Sequence, residues 1–190
     1  MLIQTLNIYK VKNNPDNPRT FKKWDLEKNI NSLLTFPEML TGLRPIVIKD
    51  NIVLGGNLRL KALHSILDME LDNIASIIAK HSKIKTSERI DYLVGYWQKF
   101  KDTKEIDFVI ADSLSPEQVD EFIIKDNVSL GSWDVDMLST YYDTTELKEW
   151  GLSEWDLGIK EDKEEIREPV ENEEDKPKSI KLCPHCGKEI

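Results

Sequence analysis

The sequence has 190 residues, enough for one domain with a buried core and a further segment at one end. Its net charge is −9, yet residues 1–104 carry 17 basic and 11 acidic side chains, whereas residues 105–190 carry 9 and 24. A basic first half suits contact with phosphate or nucleic acid, and equally a solvated basic surface. No apolar run is long enough to span a membrane and no basic secretory leader opens the chain, so a cytoplasmic protein without membrane partners is expected.

The first part of the chain predicts a strand, a loop, a helix and a hairpin. Loose apolar alternation predicts a strand over 2–12, and the prolines and Asn/Asp residues of "NNPDNPRTF" predict a loop. Asp25 is expected to cap a helix that ends near Leu34. In "RPIVIKDNIVL", two β-branched runs flank a short polar turn, which is typical of a tight hairpin.

Helical spacing of apolar residues predicts a helix from the glycines to about Met69, and further helix over 71–101. Leu93, Trp97 and Phe100 recur at helical spacing, which favours packing in the core. Basic residues are interleaved with aromatic residues in the same region, so a surface for nucleic acid is the alternative.

The later part of the domain predicts a strand and then a helix. "IDFVI" reads as a strand, and Ser115, Pro116 and Gln118 have the spacing of a helix N-cap with a capping box. Short helical pieces are expected from Asp134 onward. Asp134 is expected to cap the first of them rather than to bind a metal.

The stretch "IVLGGNLRLKAL" carries the clearest chemistry. A strand that ends in Gly55 and Gly56 and leads into a helix leaves backbone N–H groups pointing at one spot. The helix N-terminus adds a partial positive charge and Arg59 adds a full one. This pattern predicts a phosphate or carboxylate site, although two glycines after a strand can also simply turn the chain.

The order of these motifs is similar to that of a known superfamily. "NPDNPR", a helix, "PIVI", a turn and "IVLGGNLRLKA" together resemble the N-terminal domain of ParB proteins in the ParB/sulfiredoxin superfamily. The resemblance covers about residues 3–67 and 106–138, and it skips a helical insertion at about 71–104. Gly56, Asn57, Arg59 and Ala62 match the family's strand–loop–helix signature.

The resemblance implies a nucleotide site. Arg19 would face the nucleotide phosphates or the polar pocket of the domain, and the residues Gly55, Gly56, Asn57 and Arg59 would form the phosphate-binding turn. Asp126 and Asn127 stand where ParB proteins that hydrolyse CTP use a Glu-Asn pair to hold Mg²⁺, and both supply the oxygen ligands that Mg²⁺ prefers. The cofactor expected is therefore a nucleoside triphosphate with Mg²⁺.

Departures from the family pattern narrow this expectation. Asn57 replaces the cysteine of sulfiredoxin, which excludes thiol-dependent reduction of sulfinic acids. Asn57 and Leu58 also replace the Glu and second Arg that are usual in ParB clamps, and Leu130 stands near the place of a further Arg. These losses argue against CTP hydrolysis and leave anion binding in place. No helix-turn-helix is recognisable after the domain.

A narrower resemblance concerns residues 114–152. The segment "LSPEQVDEFIIKDNVSLGSWDVDMLSTYY" and the later "LKEWGL" look like ParB-like proteins of phages and mobile elements. Those proteins are associated with DNA modification or DNA packaging modules. The resemblance implies that DNA, or a protein that modifies or packages DNA, is the partner.

The C-terminal part has a different composition. Residues 159–179 are acidic with few apolar residues, which predicts a disordered linker. Residues 180–190 contain "CPHCG", in which Cys183 and Cys186 have the spacing of a zinc knuckle. Because two thiolates are half of a structural zinc site, Zn²⁺ shared between two chains in a homodimer, Zn²⁺ completed by a partner, and an inert tail all remain open.

The fold expected is α/β in the α+β sense, a small mixed sheet surrounded by helices, with a ParB/sulfiredoxin-like domain over 1–158. The function expected is nucleotide or phosphate binding by a ParB-like adaptor in phage or mobile-element DNA modification, packaging or partition. Whether it is an enzyme stays open: a nuclease or a nucleotide-dependent serine kinase is one alternative. A non-catalytic scaffold with a zinc-binding tail is the other.

Overall fold

A computed structural model describes residues 2–127, 133–154 and 156–158 of the chain. The strands are β1 (Leu2–Asn7), β2 (Ile46–Lys49), β3 (Ile52–Gly55) and β4 (Glu105–Ile110). The α-helices are α1 (Lys23–Thr35), α2 (Asn57–Asp68), α3 (Leu71–His81), α4 (Ser87–Thr103), α5 (Pro116–Asn127), α6 (Val135–Tyr141) and α7 (Thr144–Glu149). All of these elements belong to one compact unit, residues 1–158. The predicted linker and CxxC tail lie outside the described residues.

The described strands form one mixed sheet in the order β1-β4-β2-β3. β1 and β3 run antiparallel to their neighbours β4 and β2, and the central pair β2 and β4 is parallel. A parallel pair needs a long crossover, which α2, α3 and α4 supply. The predicted hairpin is confirmed, with Asp50 and Asn51 at φ 51° and 63° in its turn. Both residue types tolerate this left-handed conformation, which matches the twist of the flanking strands.

Alternation along the strands gives the sheet two apolar faces. On one face, Ile46, Ile48 and Phe108 are buried in the main core with α1 to α4. On the other face, Leu54 packs with Ala111 and with Ile123 of α5. The functional consequence is that α5 lies across the sheet beside β3, next to the start of α2.

The helices α3 and α4, which the sequence resemblance placed in an insertion, are part of the main core. Ile74 and Ile78 of α3 are fully buried, and so are Leu93 and Trp97 of α4. The indole Nε1 of Trp97 donates a hydrogen bond to the Leu34 carbonyl at 3.0 Å. The stripe of apolar residues in α4 therefore packs in the core, as its spacing predicts.

Two local predictions are wrong in position. The first strand ends at Asn7 rather than near residue 12, because a 3₁₀ turn follows; Lys12 then pairs with Ile52 at the edge of β3. Asp25 is not the cap of α1, since the helix begins at Lys23 and Asp25 is the third residue of its first turn. Its carboxylate accepts a hydrogen bond from the Lys22 N–H at 2.8 Å, which still satisfies the helix N-terminus.

Other helix caps agree with the sequence. The Ser115 N–H donates to Gln118 Oε1 at 2.9 Å, and the Gln118 N–H donates to Ser115 Oγ at 3.4 Å, which is the predicted capping box. Asp134 caps α6 by accepting from the Met137 N–H at 2.9 Å. The fold class, a small mixed sheet surrounded by helices, is confirmed. Among the described residues, no helix has the length and apolarity needed to cross a bilayer.

Candidate functional site

The turn between β3 and α2 requires glycine for two separate reasons. Gly56 has φ 101° and ψ 26°, a left-handed conformation that residues with a side chain rarely adopt. A Cβ atom added there would also lie 2.9 Å from Nη2 and 3.0 Å from Nε of Arg59. Gly56 therefore lets the Arg59 side chain fold back over the start of its own helix.

The N-terminus of α2 carries backbone donors that the fold leaves open. Its first helical hydrogen bond runs from the Leu60 N–H to the Gly56 carbonyl at 3.0 Å. The N–H groups of residues 57–59 come before that bond and have no partner among the described residues. Their partial positive charges add to the charge of Arg59 on the same turn.

Asn57 joins this turn to the loop that follows β1. Its Oδ1 accepts hydrogen bonds from the Asn14 N–H at 2.9 Å and from Asn13 Nδ2 at 3.0 Å. Only 6% of Asn57 is exposed, and its own Nδ2 has no hydrogen-bond partner within the described part of the chain. Because a buried amide N–H without a partner is costly, this group is suited to a ligand that supplies an acceptor.

Arg59 is a charged group with incomplete pairing. Its Nη2 donates to the Pro45 carbonyl at a long 3.4 Å, and its buried Nε lacks a partner among the described residues. Burial, and then repulsion from Arg44, lower the pKa of Arg59 to about 10, while the charge of Asp126 acts in the opposite direction. Arg59 is thus cationic at neutral pH, in surroundings that favour a second anion beside it.

Arg19 and α5 close the opposite side of the site. Arg19 Nη1 donates to Asn127 Oδ1 at 3.2 Å, and Asn127 Nδ2 donates to the Ile123 carbonyl at 2.6 Å. Gly55 permits the close approach of α5, because a Cβ there would lie 2.9 Å from Asp126 Oδ2. Arg19 and Asn127, which are far apart in the sequence, are therefore in contact beside the turn between β3 and α2.

These residues line a cavity of about 450 Å³, which we call the Gly56 cavity. Six residues that the sequence singles out line it: Arg19, Gly56, Asn57, Arg59, Asp126 and Asn127. Gly55, the seventh candidate residue, is not part of the lining. The cationic residues that line the cavity are Arg19, Lys28, Arg44 and Arg59, and the acidic ones are Asp25 and Asp126. The cavity therefore has an excess of positive charge.

The unsatisfied polar atoms of the protein concentrate here. Among the described residues, three buried side-chain atoms lack a hydrogen-bond partner: Asn29 Oδ1, Asn57 Nδ2 and Arg59 Nε. All three belong to residues that line the Gly56 cavity. Native proteins leave few such atoms unpaired, so three in one cavity indicate a place where a polar ligand completes the hydrogen bonding.

The sequence did not single out Lys28, Asn29 or Arg44. Lys28 and Asn29 belong to the polar face of α1, and Arg44 lies two residues before the start of β2. The "NPDNPR" loop pointed to the right neighbourhood, but helix orientation decides which polar residues of α1 reach the cavity. The alternation of polar and apolar residues in "LEKNINSLL" is the signal that could have indicated them.

The two predicted Mg²⁺ ligands, Asp126 and Asn127, differ in whether their side-chain oxygens already accept a hydrogen bond. Asp126 makes no hydrogen bond or ion pair within the described residues, whereas Asn127 Oδ1 is taken by Arg19. No cluster of three or more His, Cys, Asp or Glu suited to a metal ion occurs in the described residues. The Asp126 carboxylate could coordinate a metal ion that a ligand carries on its phosphates. The Asn127 oxygen could do so only if Arg19 donated its hydrogen bond to those phosphates instead. Cys183 and Cys186 lie outside the described residues, and the zinc prediction stands untested.

No protein-family model matches this chain, and no curated protein sequence matches it either. Among solved structures, the chain is similar to the C-terminally truncated chromosome-partitioning protein ParB from Caulobacter crescentus, complexed with CTP-gamma-S. The TM-score is 0.46 at 17% sequence identity, over 83% of this chain and 75% of that chain.

Proposed function

We propose that this protein binds a nucleoside triphosphate, with Mg²⁺ on its phosphates, in the Gly56 cavity. One observation carries the proposal: the unpaired buried groups Asn57 Nδ2 and Arg59 Nε belong to residues that line the same net-positive cavity, at the N-terminus of a twelve-residue helix. Phosphate oxygens are the acceptors that backbone N–H groups, an amide N–H and a guanidinium bind together. The motif resemblance to ParB N-terminal domains supports the nucleotide as the source of those phosphates.

The residues divide the binding among themselves. The N–H groups of residues 57–59 and Asn57 Nδ2 would bind phosphate oxygens directly, and Arg59 would neutralise their charge. Arg19 would reach the same phosphates from the opposite side by leaving Asn127. Mg²⁺, carried by the nucleotide and held by Asp126, would offset the remaining negative charge near that carboxylate.

A thermal-shift panel of the four nucleoside triphosphates with Mg²⁺ tests this proposal. At about 100 times Kd, the bound ligand should raise the melting temperature by roughly 5–10 °C. Asn57→Asp retains the oxygen that Asn13 and Asn14 bind but places a negative charge in the cavity, so it should weaken binding at least roughly tenfold. Arg59→Met should abolish the shift while leaving the free protein as stable as before, since an incompletely paired buried charge is removed.

The matched control is Lys61→Met, which removes one positive charge from the same helix outside the cavity lining. Lys61 stands over the Phe21 ring with its Nζ 4.9 Å from the ring centroid, and the cavity should keep its ligand without it. The proposal is wrong if no nucleoside triphosphate shifts the melting temperature. It is also wrong if Lys61→Met weakens binding as much as Arg59→Met.

The biological setting is proposed as DNA metabolism. A ParB-like domain of this kind would act on or beside DNA, as an adaptor in phage or mobile-element DNA modification, packaging or partition. The basic first half of the chain supports contact with a phosphate backbone. Copurification of the full chain with a DNA-modifying or packaging protein, or retention of DNA that declines steeply with salt, is the expected result.

An enzymatic role is the second candidate, and the Asp126 carboxylate favours it. Asp126 lines the Gly56 cavity and has no hydrogen-bond or ion-pair partner within the described residues, so its oxygens are open to accept a proton from a bound substrate. Incubation with labelled ATP and serine, or with plasmid DNA and Mg²⁺, would detect kinase or nuclease turnover. Turnover that survives Asp126→Ala would exclude this residue as the base.

A further inference from the structure

A second and larger cavity, of about 770 Å³, lies beside the first. It is bounded by the C-terminal half of α1, the loop between α3 and α4, and the end of α7, and we call it the Ile84 cavity. Phe36, Ile84 and Trp150 line it while remaining 43%, 57% and 49% exposed to solvent. Three large apolar side chains left in solvent around one concave surface indicate a place for an apolar ligand group.

Apart from Lys28, the basic side chains that line the Ile84 cavity lie close to acidic ones. Arg89 binds Glu38 through two hydrogen bonds of 2.6 and 3.0 Å. Lys83 Nζ lies 3.1 Å from Glu146 Oε2, and Lys148 Nζ lies 2.6 Å from Glu154 Oε1. Because these cations are already neutralised, the Ile84 cavity suits an uncharged group and does not compete for the anion.

The two cavities are adjacent. They share four lining residues, which are Lys28, Ser32, Met39 and Trp150. Lys28 makes no ion pair within the described residues, so a positive charge stands at the junction. A single ligand that spans both cavities would therefore carry its negative charge at one end and a flat or apolar body at the other.

We propose that the Ile84 cavity holds the nucleobase of the ligand whose phosphates occupy the Gly56 cavity. The inference rests on the proposed function and adds where the base lies. An aromatic base would replace water against Phe36, Ile84 and Trp150, and Met39 would lie at the junction of the cavities. The side chains of Asn31 and Ser32, which make no hydrogen bond within the described part of the chain, would bind polar atoms on the edge of the base.

The test compares a nucleoside triphosphate with inorganic tripolyphosphate, each with Mg²⁺, by calorimetric titration of the full chain. Tripolyphosphate offers the anionic end alone, so the wild-type protein should bind it at least roughly tenfold more weakly than the preferred nucleotide. Ile84→Ser removes apolar surface from the second cavity and leaves the first intact. It should weaken nucleotide binding roughly tenfold and leave tripolyphosphate binding unchanged.

Ile124→Ser is the matched control, because Ile124 is 55% exposed and lines neither cavity. It should change neither affinity. If tripolyphosphate binds as tightly as the nucleotide and Ile84→Ser has no effect, the base site is wrong and the phosphate site stands. If neither ligand binds the wild-type protein, both proposals fail.

Discussion

Helix α4 and the first turn of α2 differ in whether their buried polar groups have hydrogen-bond partners. In α4, the buried indole N–H of Trp97 has the Leu34 carbonyl as its acceptor, and Lys101 Nζ donates to the Leu67 and Met69 carbonyls at 2.5 Å each. In the first turn of α2, Asn57 and Arg59 each hold a buried nitrogen without a partner in the described residues. The polar groups that support the fold are satisfied, and those left unsatisfied lie together in one cavity. The buried polar groups of α4 therefore support stability, whereas those of the α2 turn are open to a ligand.

The largest expected effect concerns Trp97. Trp97→Ala removes a fully buried side chain and leaves the Leu34 carbonyl without its donor, so it should lower the free energy of unfolding by about 3–5 kcal/mol. Trp24→Ala, at a site 57% exposed, should change it by less than about 0.5 kcal/mol. Urea denaturation measures both. Equal losses for the two variants would contradict the central place of α4 in the core.

A smaller effect is expected from two glycines. Gly56→Ala forces a side chain into φ 101° against Arg59 and should cost about 1–2 kcal/mol of stability. Gly95→Ala lies in the interior of α4 with nothing within 4 Å, and should instead stabilise the protein by about 0.5–1 kcal/mol.

Thermal denaturation separates the two glycine variants by the sign of the change. Nucleotide affinity provides a second measurement. Only Gly56→Ala should weaken nucleotide binding, because only this change displaces the Arg59 guanidinium. A Gly56→Ala variant as stable as the wild type would show that the turn does not need glycine.

The smallest effect is a pH dependence at the Ile84 cavity. The hydrogen bond from Arg89 lowers the pKa of Glu38, so the folded carboxyl titrates below the unfolded one. The stabilisation is then complete above the unfolded pKa and is lost as the pH falls through the folded pKa. Because both side chains are partly exposed, Glu38→Gln should cost less than about 1 kcal/mol at neutral pH.

The loss caused by Glu38→Gln should shrink as the pH falls below the ordinary pKa of a glutamate. Glu27→Gln is the control, since Glu27 lies 3.8 Å from Lys23 in a pair that is largely exposed to solvent. Urea midpoints at several pH values would check both variants. A Glu38→Gln loss that stays constant down to acid pH would exclude an ionic contribution from this pair.

Sequence patterns predicted the secondary-structure elements better than the way in which those elements pack together. The hairpin around Asp50 and Asn51 and the capping box at Ser115 depend on local chemistry, and both were predicted. The packing of α4 in the core was also predicted, from the spacing of its apolar residues. The place of α3 in the core was not, because burial of Ile74 and Ile78 depends on contacts distant in sequence. The same holds for the site. The Gly56 turn is a local motif and was predicted, whereas Lys28 and Asn29 reach the cavity through the orientation of α1, which was not.

Asn57 has a consequence for motion as well as for affinity. The oxygen of its amide accepts a hydrogen bond from the backbone of Asn14, in the loop that leads to Arg19, and the nitrogen of the same amide has no partner within the described residues. A ligand that fixes the amide would also slow the opening of that loop. The exchange rate of the Asn14 amide hydrogen with solvent is thus a natural reporter of occupancy, at a position that never touches the ligand.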